Sequence, residues 1–461
     1  MTEVVVVGGG ITGLVAARSL AQAGATVTVV EPSRPGGKMQ TTPFAGGVLD
    51  EAADAFLARV PEGLELCRQL GLDGDLVSPA ERRAHVWSRG ALRPLPTAQV
   101  LGVPTDLDEL AASGIVSRDG LVEAGRDRDR PLTPPDGDVA IGAFMRARLG
   151  DEVVDRLIDP LVGGINAGNV DELSLAAAVP QLDAAARSGA RSLMEACQVQ
   201  RERIADPEAP VFFAPRGGMG AIVTALLDDA RRLGVTVVSG RVVGLERERR
   251  RWRAALDGGR ALPADGVVLA TPAGTSGGLL RPHAPRAATL LAAIPYASVV
   301  LVALAVDRGG IDRELDGSGY LVPRVEGRTI TACSWTSTKW PHLGGDGIEW
   351  LRASVGRDGD DRVLSLGDEA IVAEVLADLA DTMALQAPPA EVRVTRLPRS
   401  FPQYRPGHLT VIEGIDADLA RAAGTVVVAG AALRGLGVPA CIRQGSVAAE
   451  RLLATLAPRR T

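Results

Sequence analysis

The hydrophobic pattern of this chain begins and ends alike. Val4–Val7 are four consecutive β-branched residues, the pattern of a strand covered on both faces in a parallel sheet. The turn Gly8-x-Gly10-x-x-Gly13 leads into an Ala/Leu-rich stretch of helical period that runs to about Ala23, where Gly24 stops it. A second strand, Thr26–Val30, ends in Glu31. Near the other end, "TVVVAG" (425–430) predicts another buried strand, followed by a glycine-studded turn and a helical stretch through "PACIRQGSVAAERLL" (439–453).

Between these ends the pattern changes three times. From about Leu64 to Ile204 apolar residues recur mostly at helical spacing, broken by "RDRDRPLTPPDGD" (126–138), which reads as an exposed loop. At 209–248 a strand, a Gly-rich turn, a helix and a strand pair return, and Gly266–Ala270 reads as one more buried strand. From Pro282 to Thr425 strands alternate with helices, including a helix over Asp368–Thr382. The economical reading is an α/β protein, α+β overall. A discontinuous nucleotide-binding domain (1–80, 209–275 and 425–461) carries a helical insertion (81–208) and a mixed-sheet domain (276–424).

Composition narrows the partners. The 461 residues carry a net charge of −6 and no long basic block, so nucleic acid is not expected. The four cysteines are far apart, without a CxxC pair, so neither zinc nor a disulfide framework is expected, and a reducing cytoplasm is. No charged leader precedes the first strand, and no signal peptide is expected. The longest apolar run, "YASVVLVALAV" (296–306), falls short of the ~20 residues a spanning helix needs. It reads as a buried strand; peripheral membrane contact stays open.

The opening unit has the parts of a dinucleotide site. Gly8 permits the tight turn, Gly10 a close approach of backbone to pyrophosphate, and Gly13 close packing of helix on strand. The helix N-terminus offers free N–H groups to phosphate, and Glu31 can accept from ribose hydroxyls. This leaves NAD and FAD both open. A second Gly pair, Gly36-Gly37, followed by Lys38 suits a dinucleotide buried in an extended pose, and favours FAD.

"DPLVGGINAGNVDELSL" (159–175), "CSWTSTKWPH" (333–342), "SFPQYRPGH" (400–408) and "RGLGVPACIRQG" (434–445) resemble the protoporphyrinogen/coproporphyrinogen oxidase family of heme biosynthesis, in its Gram-positive and actinobacterial branch. The resemblance implies a Rossmann-type FAD domain of the p-hydroxybenzoate hydroxylase/amine oxidase kind. It implies non-covalent FAD contacts at Gly8, Gly9, Gly10, Ile11, Thr12 and Gly13, at Glu31 and Pro32, and at Lys38. Val242 should meet adenine through its backbone. Ala431, Leu436, Gly437 and Val438 should lie under the flavin. Many members carry Gly-Pro-Asp-Ser where this chain has Ala52, Ala53, Asp54 and Ala55, so a serine hydroxyl is missing from that expected contact.

The same resemblance implies removal of six electrons from a porphyrinogen in three hydride transfers to flavin N5, with oxygen as acceptor and hydrogen peroxide as by-product. Such chemistry needs orientation rather than a side-chain base, and no catalytic side chain or metal ligand is expected. His85, His283, His342 and His408 sit in unrelated contexts. Expected substrate contacts are Ile165, Asn166, Gly168 and Leu321, with Lys339 and Arg93 as candidates for the propionates. Lys339 reads equally well as a salt-bridged structural lysine. Coproporphyrinogen III is favoured over protoporphyrinogen IX, and a ferrochelatase would use the product. The rivals are another oxidase or desaturase of this fold, and a tetrapyrrole-binding flavoprotein without turnover.

Overall fold

The structure is a computed structural model that describes residues 2–204, 206, 209–345, 347–360 and 362–457. Its organising element is a five-stranded parallel sheet in the order Thr236–Ser239, Thr26–Glu31, Glu3–Val7, Gly266–Leu269, Val426–Val428. The valines of Glu3–Val7 alternate between two cores. Val4 and Val6 pack under the helices Ile11–Gln22, Gly220–Arg232 and Val438–Leu456. Val5 and Val7 face a three-stranded antiparallel layer (Val242–Glu248, Arg251–Leu256, Ala261–Ala264) and the helices Ala273–Leu280, Pro285–Ala292 and His408–Ala422. A strand with an apolar neighbour on every side has to be apolar throughout, which is why the run is unbroken.

The two similar ends meet in space. A Cβ on Gly445 of the last helix would lie 2.5 Å from the Thr12 carbonyl oxygen, so the helices cross at backbone contact. A further tie is Asp50, which accepts from the Thr41 hydroxyl and, at 2.9 Å, from the Met219 N–H at the start of Gly220–Arg232. Burial outweighs these bonds and pushes its carboxyl up to about 6. A carboxyl raised above its unfolded value of about 3.9 adds stability as pH falls through the folded pKa, and that contribution is complete only below the unfolded one. We expect wild type to gain about 1–2 kcal/mol on Asp50→Asn between pH 7 and pH 5, the Asp50 side chain being only partly shielded. Thermal midpoints at the two pH values check this, and a gap independent of pH would contradict it.

The second sheet has seven strands, in the order Glu391–Pro402, Tyr296–Asp307, Ile348–Val355, Ile330–Trp335, Gly319–Leu321, His85–Ser88, Ala91–Pro94. The expected buried strand over 296–306 is thus its long inner member. The predicted domain borders need correction at three places. His85–Ser88 and Ala91–Pro94, expected at the start of the helical insertion, extend this sheet. Pro285–Ala292 and His408–Ala422, expected in the mixed-sheet domain, instead cover the second face of the parallel sheet. Their apolar faces fit that gap.

The helical insertion closes over its own core between Val86 and Cys197. Within it, Val154–Gly163 is a π-helix with Pro160 inside, a widened turn that suits a proline lacking its N–H. The segment 126–138, expected to be an exposed loop, is mostly exposed, with a short 3-10 turn at Arg126–Asp129 that is anchored at one buried residue. Asp127 is fully buried, accepting from Arg148 Nε at 2.6 Å and from the Met194 N–H at 2.9 Å. The sequence does not mark Asp127 as the anchor because a buried ion pair looks like any polar stretch. Among the described residues no helix is long and apolar enough to cross a membrane.

Candidate active site

A cavity of about 800 Å³ runs from the C-terminal edge of the parallel sheet to the space between the seven-stranded sheet and the helical insertion. Its first end is the glycine turn. Gly8 has φ +105° and its absent Cβ would sit 2.6 Å from the Ala270 carbonyl oxygen; a Cβ on Gly13 would be 1.9 Å from Gly8 O. Gly10 meets nothing within 4 Å, because a Cβ there would project into the cavity. Glu31 Oε2 accepts from the Gly9 N–H at 2.7 Å, and Oε1 from the Ser33 hydroxyl at 2.8 Å. The strand end and the glycine turn therefore hold each other. Pro32 and Val242 complete this end of the wall.

At the middle of the cavity stand Lys38, Ala52, Ala53, Asp54, Ala55, Ala431, Leu436, Gly437 and Val438. A second helix N-terminus opens here: Gly437 caps Val438–Leu456 without a side-chain bond, and Ile11–Gln22 likewise begins uncapped by a side chain. Two sets of unpaired N–H groups with positive dipole ends thus face one elongated cavity. Lys38 Nζ donates to the Ser400 carbonyl and lies over the Phe401 ring, and enclosure lowers its pKa. The segment lacking the family's serine is fixed from behind. Asp54 takes Lys339 Nζ at 3.1 Å and faces Arg352 at 3.7 Å, and Arg352 also donates to the carbonyls of Asp50 and Ala52. Against the cost of burial these cations hold the Asp54 carboxyl well below the usual range.

The far end is walled by Asp159, Pro160, Gly163, Gly164, Ile165 and Gly168 of the insertion, and by residues of the sheet. Val299 and Leu301 alternate with core residues along Tyr296–Asp307, joined by Val322, Leu397 and Phe401. Arg357, in the turn after Ile348–Val355, is a partly buried cation on this wall. Asp159 is buried and raised in pKa by that burial, with a long 3.4 Å bond from the Val170 N–H.

Four of the expected substrate residues lie elsewhere. Asn166 is buried and donates to Val162 O at 2.8 Å, closing the π-helical turn. Leu321 backs the wall, 3.6 Å from where Gly164 would carry a Cβ. Lys339 stands behind Asp54, so it acts as the salt-bridged lysine. Arg93 is at the outer edge of the sheet, where it approaches Ser88 O at 3.4 Å and packs on Gly114. Gly9 and Gly13 shape the turn without lining the cavity. Two of the histidines pair with backbone carbonyls: His408 Nε2 with Leu433 O at 2.9 Å, and His283 Nε2 with Leu245 O at 2.7 Å.

The "FPQYRPGH" motif gains a physical reason. Gln403 donates to Asn166 O at 2.9 Å, tying sheet to insertion. Tyr404 donates to Ala431 O and accepts from the Gly435 N–H at 2.9 Å, holding the turn before the last helix. His408 stacks on Tyr404 at 4.1 Å.

The comparisons with known proteins agree with this geometry. A family model described as flavin containing amine oxidoreductase matches residues 11–453. A Staphylococcus aureus coproporphyrinogen III oxidase is 32% identical, over 98% of this chain and 99% of its own length. The coproporphyrinogen III oxidase of Mycobacterium leprae is 36% identical, over 98% of both chains. A crystal structure from Exiguobacterium sp. 255-15, named as a protoporphyrinogen oxidase, superposes with a TM-score of 0.87 at 30% identity, covering 97% of this chain and 98% of that one. The glycine cradle and the paired helix ends fit the flavin dinucleotide of this family, FAD, and the protein is an FAD-dependent oxidoreductase. The chain belongs to the flavin containing amine oxidoreductase family, in the group of the coproporphyrinogen III oxidases.

Proposed function

We propose that this protein oxidises coproporphyrinogen III to coproporphyrin III, with molecular oxygen as the final acceptor. The observation that carries the reading is the cavity itself: one end is a dinucleotide cradle, and the other is a slot with apolar walls and an arginine inside. Relatives of the same length named for that substrate support the choice. The Exiguobacterium structure supports protoporphyrinogen IX as the second reading.

FAD, when bound, supplies the two-electron acceptor used in three successive rounds, and oxygen returns it to the oxidised form with one hydrogen peroxide per round. The chain's part is to hold and enclose. Val299, Leu301, Val322, Leu397 and Phe401 offer apolar surface to a macrocycle and exclude water. Gly163, Gly164 and Gly168 line the slot, and glycine is needed there for close packing: a Cβ on Gly163 would lie 3.0 Å from Gly168 O, and one on Gly168 would lie 2.6 Å from the Leu173 side chain. Ile165, 56% exposed, stands at the rim. Lys38 and the N-terminus of Val438–Leu456 supply positive charge where an electron-rich reduced cofactor gains from it. The product is a metal-free porphyrin, and iron insertion is the class of reaction that consumes it. A cytoplasmic setting belongs to the same reading.

Porphyrin fluorescence in air tests this, with coproporphyrinogen III and protoporphyrinogen IX supplied in parallel to FAD-loaded protein. We expect faster turnover of the first, with oxygen uptake. Preference for the second selects the second reading, and binding without flavin reduction makes the protein a carrier.

A further inference from the structure

Four arginines reach the cavity wall among the described residues: Arg241, Arg352, Arg357 and Arg399. They differ in what already occupies them. Arg352 is bound to Asp54 and two carbonyls. Arg241 stands beside Val242, at the end opposite the slot, and Arg399 is exposed at the rim. Arg357 is partly buried inside the slot, and among the described residues its guanidinium has no hydrogen bond or ion pair.

The backbone around it is fixed. Gly356, at φ +91°, makes the turn out of Ile348–Val355, and a Cβ there would lie 2.8 Å from Ser298 O. The Asp358 N–H donates to Ala167 O at 2.7 Å, and its carboxylate takes Arg405 at the same distance. The Asp360 N–H closes the turn on Arg357 O at 2.9 Å, and its carboxylate accepts the Arg362 N–H at 3.3 Å. Nearby acids are thus engaged, while the residue between them is held rigidly with its donors unused. Burial and the charge of Arg324 lower the Arg357 pKa; Asp159 and Asp360 oppose this from beyond ion-pair range. Arg324 donates to Gly168 O at 3.3 Å, and its Nε is buried without a partner. Arg357, with the charge of Arg324 close behind it, thus lines a cavity end whose carboxyl, Asp159, is disfavoured as an anion by burial. That excess of positive charge in a partly dry slot calls for an anion from outside.

We propose that Arg357 is the carboxylate anchor of the substrate slot: it takes one propionate of the tetrapyrrole in a bidentate pair, with Arg324 reinforcing the field, and so fixes the rotation of the macrocycle in its plane. This rests on the functional reading above and names a residue for it. The planar guanidinium offers two parallel donors to a carboxylate. No other cation lining the slot is both partly buried and unpaired among the described residues.

The test is equilibrium titration of FAD-loaded protein with coproporphyrin III, followed by porphyrin fluorescence, alongside its tetramethyl ester. Arg357→Met should weaken the free acid by about 10- to 100-fold, the value of a charged hydrogen bond, and leave the ester within twofold. Arg357→Lys should fall between. In turnover, Arg357→Met should raise KM far more than it lowers kcat. An unchanged Kd for the acid, or equal weakening of acid and ester, overturns the proposal. So does loss of FAD from both variants, which would make Arg357 structural. Wild type that binds neither porphyrin would instead defeat the functional reading.

Discussion

Gly13→Ala should leave the protein with little or no FAD. The added Cβ would stand 1.9 Å from Gly8 O and 3.1 Å from Gly8 C, both backbone atoms. Neither partner can move away cheaply. Gly8 is tied by its N–H to Val30 O at 2.9 Å and faces Ala270 O on its other side. The helix Ile11–Gln22 cannot rise off the sheet, because Gly445 of the last helix crosses it at backbone contact. Overpacking costs about 1–3 kcal/mol where side chains absorb it, and a backbone clash lies at or above the top of that range. The absorbance ratio of flavin to protein after purification, and the thermal midpoint, should both drop. Full flavin content at an unchanged midpoint would show that the turn is not a rigid cradle.

Asp54→Ala should be the second most damaging change. It leaves Lys339 and Arg352, whose side chains are 16% and 15% exposed, facing each other without their shared anion. Breaking a fully buried pair costs about 3–5 kcal/mol; with 31% of the Asp54 side chain open to the cavity, about 2–3 kcal/mol is expected. The segment Ala52–Ala55 would loosen at the same time, so flavin retention should fall too. The pH dependence has a definite sign. A carboxyl lowered on folding gives stability that is fully present above its unfolded pKa and lost only as pH falls through the folded value. The deficit of Asp54→Ala should therefore stay constant from pH 5 to pH 8. Combining Asp54→Ala with Lys339→Met should recover part of the loss, since one stranded charge is then gone. A double variant as unstable as the sum of the singles would deny the coupling.

The cradle was legible in the sequence because its parts are local. Gly8, Gly10, Gly13 and Glu31 lie within one strand–turn–helix–strand unit, and spacing alone sets their geometry. The slot was not, because five distant segments build it: 159–168, 299–301, 322, 354–357 and 397–401. Along Tyr296–Asp307 both faces are apolar, one toward the core and one toward the cavity, so no alternation marks Val299 and Leu301 as wall residues. Arg357 had no signal beyond being one arginine among many; only the fold shows that its neighbours are taken and it is not. Lys339 reads equally well as a propionate contact or a salt-bridged lysine, because a motif says nothing about which side of Asp54 it occupies. The His85–Ala91 region was misplaced because two four-residue strands carry too little pattern to stand out from the helices around them.

The parallel sheet has a consequence for how the chain is made. Glu3–Val7 is made long before one outer strand of its sheet, Val426–Val428, and the helix crossing Ile11–Gln22 comes later still. At about 5–20 residues per second, the opening strands would wait roughly 20 to 85 s for their last partner. The apolar face later covered by Val438–Leu456 stands open throughout that interval, and the edge of Gly266–Leu269 stands open from the time that strand is made. Such pairing across most of the chain closes slowly, and open strand edges invite other chains. The protein should therefore lean on chaperones during synthesis, and FAD, whose site needs both similar units, can enter only after Val438–Leu456 has been made.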